Sequence, residues 1–170
     1  SATTDASVVP SSSRGPTLDG RVKPDLVGNG DGIYSPSYNQ ADPTDINFYD
    51  DTGGTSFSTP TITGGLTLLH NINTARGGPD YLSSTWKALW LHTTGDGTSL
   101  PAYYGTDAAA ANLVGPDYIY GWGVANIERA GDLLAANLET KSKAVHLKEH
   151  ILYDGNTIEI PVQHDGVSSE

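Results

Sequence analysis

One short stretch of the chain combines residue types and spacing that could support covalent chemistry. Residues 53–65 read GGTSFSTPTITGG, with Ser56 between a glycine pair and a Thr-Pro step at the start of an apolar helical run. A serine in this setting is either a helix N-cap, whose oxygen accepts a backbone N–H, or a nucleophile. As a nucleophile, it would have its own backbone N–H among the unpaired donors of the first turn, where an oxyanion can be stabilised.

Apolar spacing predicts three helices, and the serine stretch opens the first of them. The predicted ranges are 55–72, 83–94 and 126–138. Ser83 or Ser84 is the expected N-cap of the second helix and Asn126 that of the third. The pair Gly64–Gly65 would let a neighbouring element approach the first helix closely. The side chains expected to face the core are Ile62, Leu66, Leu69, Trp86, Leu89, Trp90, Ile127, Leu133 and Leu134, with Trp122 also assigned to packing.

Short extended pieces and turns lie around these helices. Strands are predicted at Leu26–Val27 and Ile33–Tyr34, a turn at Asp19–Gly20, and a polar surface loop over 37–50. Near the C-terminus, apolar and polar residues alternate around Asp154–Gly155, which predicts a β-hairpin and the start of a separate β-rich module.

The chain is strongly acidic and contains no cysteine. Twenty Asp and Glu stand against nine Lys and Arg, for a net charge of -11. This balance argues against a nucleic-acid partner, which needs clustered basic residues, and is compatible with calcium. The absence of Cys excludes disulfides, thiolate metal sites and a cysteine nucleophile. No apolar run approaches the length of a transmembrane helix, so no membrane span is predicted.

Three motifs in order resemble those of the subtilisin-like serine proteases. GTSFSTP followed by TITGG fits the pattern Gly-Thr-Ser-x-Ser/Ala-x-Pro around that family's nucleophile. SSRGPTLDGRVKPDL at 12–26 resembles an upstream family segment, and YGWGVANIERA at 120–130 resembles the Gly-Trp-Gly segment before its last helix. One departure is VGNG at 27–30, where the family usually has Ala-Pro-Gly after Lys-Pro-Asp. The resemblance covers about residues 1–138.

The resemblance implies a fold, a reaction and a site. The fold is α/β: residues 1–138 would be the C-terminal part of a subtilisin-like parallel-sheet domain, and 139–170 the start of a truncated β-rich, sandwich-like module. Ser56 would form an acyl-enzyme with a protein or peptide substrate, and its backbone N–H would supply half of the oxyanion hole. Gly54, Thr55 and Pro60 would set the turn and the helix start. The family is typically extracellular or attached to the cell envelope.

The rest of the catalytic machinery does not match any residue of this chain. A serine nucleophile needs a general base oriented by a carboxylate, and the family's order is Asp, His, an oxyanion-hole Asn, then Ser. All five histidines follow Ser56, namely His70, His92, His146, His150 and His164. We therefore expect the base, its Asp and the Asn on an upstream half of the domain, and an isolated chain that is nearly inactive. In subtilisin, loss of the Ser or the His alone lowers kcat about a million-fold.

Two other patterns close to Ser56 have simpler interpretations. Asp51-Thr52-Gly53 is a tripeptide found at catalytic aspartates, but Asp50 stands where an apolar residue would precede it, so coincidence is favoured. Asn29 and Asp31 in GNGDGIY suggest a calcium loop without the full set of oxygen ligands, so a solvated turn is favoured. Asp25 matches a position near a cation site in some family members. The chemistry itself needs no cofactor, and calcium is considered only as a structural ion.

A second interpretation of function comes from a different class. If the chain acts without an upstream half, it is a catalytically inactive scaffold or protein-binding module derived from the same fold, with the predicted hairpin serving partner recognition. That arrangement would leave an open sheet edge, which is an aggregation hazard. We therefore favour the protease.

Overall fold

The computed structural model of the chain describes residues 8–95, 115–139 and 147–160. The elements follow in the order β1 (Ile33–Pro36), β2 (Tyr49–Thr52), α1 (Thr55–Ala75), α2 (Ser83–His92) and α3 (Ile127–Glu139). The three predicted helices are confirmed, although α1 continues to Ala75 and α2 stops at His92. β1 and β2 form an antiparallel hairpin, so the polar loop predicted over 37–50 ends where β2 begins.

The core lies between the three helices. Its buried side chains are Leu69 from α1, Trp86, Leu89 and Trp90 from α2, and Ala130 and Leu134 from α3. Every inward-facing residue predicted for α1 and α2 lies in this cluster or packs against it. Ile127 and Trp122 do not follow the prediction, since they remain 41% and 48% exposed. Ile127 is the first residue of α3, and Trp122 contributes its backbone to the fold: its N–H donates to Asp25 and its carbonyl accepts from Thr94.

The expected parallel sheet is represented, among the described residues, by one parallel bridge between Val27 and Val124. The Val27 N–H donates to the Gly123 carbonyl at 3.0 Å, and the Ala125 N–H donates to the Val27 carbonyl at 2.9 Å. On its other side Val124 pairs in antiparallel fashion with Gly95. The strand predicted at Leu26–Val27 therefore forms only this one parallel bridge among the described residues. A larger parallel sheet stays a prediction.

The C-terminal part of the chain contains the predicted turn without the predicted strands. Gly155 adopts φ 80°, and the Asn156 N–H donates to the Tyr153 carbonyl at 3.0 Å. No strand is present in 147–160, and every residue of 151–160 is exposed. The hairpin prediction is wrong for this described segment because a lone two-stranded ribbon without a covered apolar face is marginal in water. Residues 161–170 lie outside the described part, so the β-rich module stays a prediction.

The N-terminus of α2 is capped from a distant part of the chain. The sequence predicts Ser83 or Ser84 as the cap, but Leu82 occupies the N-cap position. The Glu149 carboxylate instead accepts the Leu82 N–H at 2.7 Å and the Thr85 hydroxyl at 2.5 Å. A negative charge at this position also interacts favourably with the helix dipole. The serine-cap prediction is wrong because tertiary structure supplies the acceptor.

Replacing Glu149 by Ala should lower the free energy of unfolding by about 0.5–2 kcal/mol, the usual loss for a helix cap. Glu149→Gln keeps an oxygen acceptor and should lose less. Urea denaturation measures both, with Glu159→Gln as the matched change at an exposed position. Equal stability of wild type and Glu149→Ala would contradict the capping role.

The two adjacent glycines of α1 should respond oppositely to substitution by alanine. A Cβ on Gly65 would lie 2.9 Å from Trp90 Cζ2 and 3.2 Å from Ile127 Cδ1, whereas a Cβ on Gly64 would meet no atom within 4 Å. Gly65→Ala should therefore destabilise the chain by about 1–3 kcal/mol through overpacking. Gly64→Ala should stabilise it by up to about 1 kcal/mol through helix propensity. Thermal or urea unfolding of the two variants compares them, and a shift of the same sign in both would refute the packing assigned to Gly65.

Candidate active site

Ser56 lies in the first turn of α1 with its side chain exposed. The N-cap position belongs to Gly54, whose φ of 134° is disfavoured for residues with a Cβ. The Ser56 hydroxyl makes no hydrogen bond with any residue of the described ranges. The capping alternative for Ser56 is therefore excluded, and its oxygen is available for chemistry.

The backbone at the start of α1 offers unpaired donors beside this hydroxyl. The N–H groups of Phe57 and Ser58 both donate to the Gly54 carbonyl, at 2.9 and 3.2 Å. Those of Thr55 and Ser56 donate to no described residue. These free donors lie at the positive end of the helix dipole, an arrangement that favours negative charge close to the Ser56 oxygen.

The predicted supporting residues lie on either side of Ser56. The Thr55 side chain is exposed, and its carbonyl accepts the Thr59 hydroxyl at 2.9 Å. Pro60 lies inside α1 rather than at its start. Because proline lacks an N–H, the Ser56 carbonyl four residues earlier has no α-helical donor from that position. Gly54 and Thr55 thus form the helix start, while Pro60 affects its second turn.

Three hydrogen bonds fasten α1 to the segment Gly28–Gly30. The Gly54 N–H donates to the Gly30 carbonyl at 2.6 Å. The Ser58 hydroxyl donates to the Gly28 carbonyl at 2.9 Å, and the Thr61 hydroxyl to the Asn29 carbonyl at 3.2 Å. Three consecutive carbonyls therefore hold the first two turns of the helix. Sequence reasoning missed Ser58 and Thr61, although two hydroxyls three residues apart on a helix beginning were a usable signal.

The segment Gly28–Gly30 approaches α1 so closely that side chains would not fit at its ends. A Cβ on Gly28 would lie 2.7 Å from Ile62 Cδ1, and one on Gly30 would lie 2.7 Å from Ser58 Cβ. The VGNG departure at 27–30 is therefore compatible with the anchoring of α1, because it places glycine at both points of closest approach.

The SSRGP, KPD and GWG motifs, separate in sequence, meet in the structure. The Gly15 N–H donates to the Tyr118 carbonyl at 2.9 Å, and the Trp122 N–H to the Asp25 carbonyl at 2.9 Å. Gly121, with φ 64°, lies against the carbonyls of Pro24 and Asp25 with no room for a Cβ. These contacts are made by the backbone, and the close approach explains why position 121 is a glycine.

Asp25 links the KPD motif to α2 through two lysines. Its carboxylate lies 2.6 Å from Lys23 Nζ and 2.9 Å from Lys87 Nζ. Partial burial works against ionisation of Asp25, but the hydrogen bonds and charges of the two lysines outweigh it, and the net pKa of Asp25 lies below its ordinary value. The residue that resembles a cation-site position of the family, Asp25, is therefore paired here with two lysine side chains.

Within the described ranges no histidine is a hydrogen-bond partner of Ser56, and a base from an upstream segment stays a prediction. His70 lies on the same helix fourteen residues further on, or roughly 21 Å away at 1.5 Å per residue. The centroid of its ring is 5.8 Å from that of the Trp86 ring. His92 ends α2, and His150 is an exposed residue of 147–160. His146 and His164 lie outside the described residues.

The two other candidate patterns lie close to the nucleophile loop. Asp51 is an exposed residue of β2, and its N–H donates to the Asp50 carboxylate at 2.9 Å. Asp31 lies beside the nucleophile loop, since a Cβ on Gly53 would be 2.7 Å from its Oδ1. Within the described ranges no three His, Asp or Glu side chains group as metal ligands would. The solvated turn favoured for Asn29 and Asp31 stays a prediction, with a structural calcium ion as its alternative.

Comparison with known protein families shows which family the chain belongs to. The model of the subtilase family, Peptidase S8, matches residues 1–123. The chain belongs to the subtilase family. Pyrolysin of Pyrococcus furiosus is 39% identical over 85 residues, which are 47% of this chain and 6% of pyrolysin. The chain therefore corresponds to only a small part of that subtilase. In the portion that the structure covers, no helix has the length and apolarity needed to cross a membrane.

The ion pairs of Asp25 predict a pH dependence of stability for this subtilase chain. Because the folded pKa is below the ordinary value of 3.8, the stabilisation is present above that value and is lost as the pH falls through the folded pKa. Asp25 is 39% exposed, so solvent screening limits the contribution to less than about 1 kcal/mol. The difference in unfolding free energy between wild type and Asp25→Asn should be largest near neutral pH and should shrink as the pH falls through the folded pKa of Asp25.

Lys87→Met supplies the control. Because it removes one of the two cations beside Asp25, the effect of Asp25→Asn on the unfolding free energy should depend less on pH in this background. A wild-type minus Asp25→Asn difference that stays constant between neutral and acid pH would contradict the ion-pair assignment.

Proposed function

We propose that this chain carries the nucleophile of a subtilisin-like serine endopeptidase. The observation that carries the proposal is the placement of Ser56 in the first turn of α1: its hydroxyl is exposed, and neither this hydroxyl nor its own backbone N–H is hydrogen-bonded to a described residue. Membership of the subtilase family supports it. A serine used only for capping would lie one or two positions earlier and would hold a backbone N–H.

In the proposed reaction, Ser56 Oγ attacks the carbonyl carbon of the scissile peptide bond while its proton passes to a histidine. The Ser56 N–H donates to the oxyanion of the tetrahedral intermediate, and an Asn side chain supplies the second donor. Collapse of the intermediate expels the amine, which takes the proton back from the histidine, and leaves the acyl group on Ser56. Water, deprotonated by the same histidine, then hydrolyses the ester.

The remaining catalytic groups are proposed to come from an upstream half of the catalytic domain. The separation of His70 from Ser56, fourteen residues along the same helix, supports this assignment. The isolated chain would accordingly be almost inactive, since a serine without its base retains little catalysis. We further propose that residues 1–138 belong to the peptidase domain, that 139–170 begin a β-rich module, and that the enzyme acts on proteins outside the cell or at its envelope. The shared core of α1 and α3 supports the inclusion of α3 in the peptidase domain, although Leu147 also packs against this core and Glu149 caps α2.

A fluorophosphonate probe tests the role of Ser56 in the full-length parent protein. The probe should label the parent at Ser56, and Ser56→Ala should abolish both labelling and peptide hydrolysis, in line with the about million-fold loss of kcat in subtilisin itself. Peptide mapping of the labelled band locates the modified residue.

Ser84→Ala is the matched control, because Ser84 is likewise an exposed serine in the first turn of a helix, α2, and takes no part in anchoring α1. It should remain labelled. Absence of labelling in a folded parent would overturn the protease proposal and favour the inactive scaffold, as would labelling that survives in Ser56→Ala.

A further inference from the structure

The β1–β2 hairpin presents one face to solvent immediately before the nucleophile loop of Ser56. Its register pairs Tyr34 with Asp51 and Pro36 with Tyr49. Directly opposed residues of an antiparallel pair point to the same side, so these four share a face, called here the hairpin outer face. The opposite face carries the half-buried residues Ile33, Ser35 and Thr52.

Two stacked tyrosine rings lie on the hairpin outer face. The ring centroids of Tyr34 and Tyr49 are 5.5 Å apart, with 26° between the ring planes. Tyr34 is 71% exposed and Tyr49 47% exposed. A pair of aromatic rings already held against each other offers a flat apolar surface that loses little conformational entropy on binding.

The charge beside these rings specifies a cationic occupant. Asp51 lies directly across from Tyr34 on the same face, is exposed, and forms no ion pair with a Lys or Arg of the described ranges. The whole chain carries a net charge of -11. A guanidinium can stack on a tyrosine ring while its N–H groups donate to a neighbouring carboxylate, and a lysine ammonium can use the same two partners less completely.

The hairpin outer face is close enough to Ser56 for one substrate chain to reach both. Asp51 precedes Ser56 by five residues, so their Cα atoms can be at most about 18 Å apart. An extended peptide covers about 3.3 Å per residue. A side chain on this face would therefore belong to a substrate residue within about five positions of the scissile bond.

We propose that the hairpin outer face is a docking surface for an extended stretch of the protein substrate, with an arginine or lysine side chain seated on Tyr34 and Tyr49 and beside Asp51. The proposal rests on the proposed proteolytic function of Ser56 and deepens it by naming the side-chain class that the substrate carries. Asp51 has no role in bond cleavage in this proposal and acts only in binding.

Peptide cleavage by the full-length parent enzyme tests the docking surface. The probes are fluorogenic peptides with one scissile bond and a single arginine, scanned through the five positions on each side, each compared with the same peptide carrying citrulline, its neutral isostere. At one position, kcat/KM should favour arginine by about threefold to tenfold. The advantage should lie in KM, as expected for binding that is equal in ground and transition states, and should shrink as salt is added.

Substitutions on the two faces of the hairpin separate docking from general charge effects. Asp51→Asn and Tyr34→Leu should bring the arginine-to-citrulline ratio close to one. Asp50→Asn removes the same charge from the neighbouring position on the opposite face and should keep the wild-type ratio. A midpoint of thermal unfolding equal to that of wild type shows that a variant is folded. The isosteric Asp51→Asn keeps the test valid if Tyr34→Leu fails to fold.

The outcomes distinguish this proposal from the one on which it rests. A parent that is neither labelled by fluorophosphonate nor able to cleave any peptide overturns the protease function and the docking surface together. A labelled, active parent with no arginine preference at any position, or with the same preference in Asp51→Asn, overturns the docking surface alone. A change in self-association of Asp51→Asn, seen by sedimentation velocity with an unchanged ratio, also overturns it and assigns the face to a second copy of the chain.

Discussion

The attachment of the first two turns of α1 to the carbonyls of Gly28, Asn29 and Gly30 determines where Ser56 lies. A helix N-terminus has several unpaired donors and tends to fray unless other groups hold it. Here the Gly54 N–H and the Ser58 and Thr61 hydroxyls bind three consecutive carbonyls. The anchoring bonds use the face of the helix turned away from Ser56, so its hydroxyl and N–H stay unengaged within the described residues.

This anchoring depends on glycine where the backbones are closest. Gly28 and Gly30 have no space for a side chain against Ile62 and Ser58, and Gly54 has a positive φ that admits the turn into α1. The far end of the same helix is held differently, by burial of Leu69 among apolar side chains of α2 and α3. Polar anchoring at one end and apolar packing at the other keep α1 in place along its length.

The β1–β2 hairpin is joined directly to the anchored start of α1. β2 leads through Gly53 and Gly54 directly into α1, and Asp31 of the incoming segment lies against Gly53. Whatever binds to the hairpin outer face therefore contacts an element covalently joined to the nucleophile loop. In the proposed enzyme, the docking surface and Ser56 are thus joined by a few residues of short, glycine-rich chain.

Local patterns in the sequence were sufficient to predict the helices, the N-cap Asn126, the buried faces of α1 and α2, and the subtilase motifs, because each depends on residues close together in the chain. Asn126 is an example: its side chain accepts the Arg129 N–H at 2.9 Å, as its position before the third helix predicts.

Contacts between distant residues were decided by the tertiary structure alone. Glu149 caps α2 from 67 residues away, Lys87 pairs with Asp25 across the fold, and Trp122 serves through its backbone while its side chain stays exposed. Neighbouring residues in the sequence do not predict these contacts, because a Glu or a Trp is the same letter whether its side chain contacts solvent or another element of the fold. The sequence by itself determined which helix carries Ser56. Only the folded chain determined that no described residue hydrogen-bonds to its hydroxyl, since that depends on which groups reach it in space.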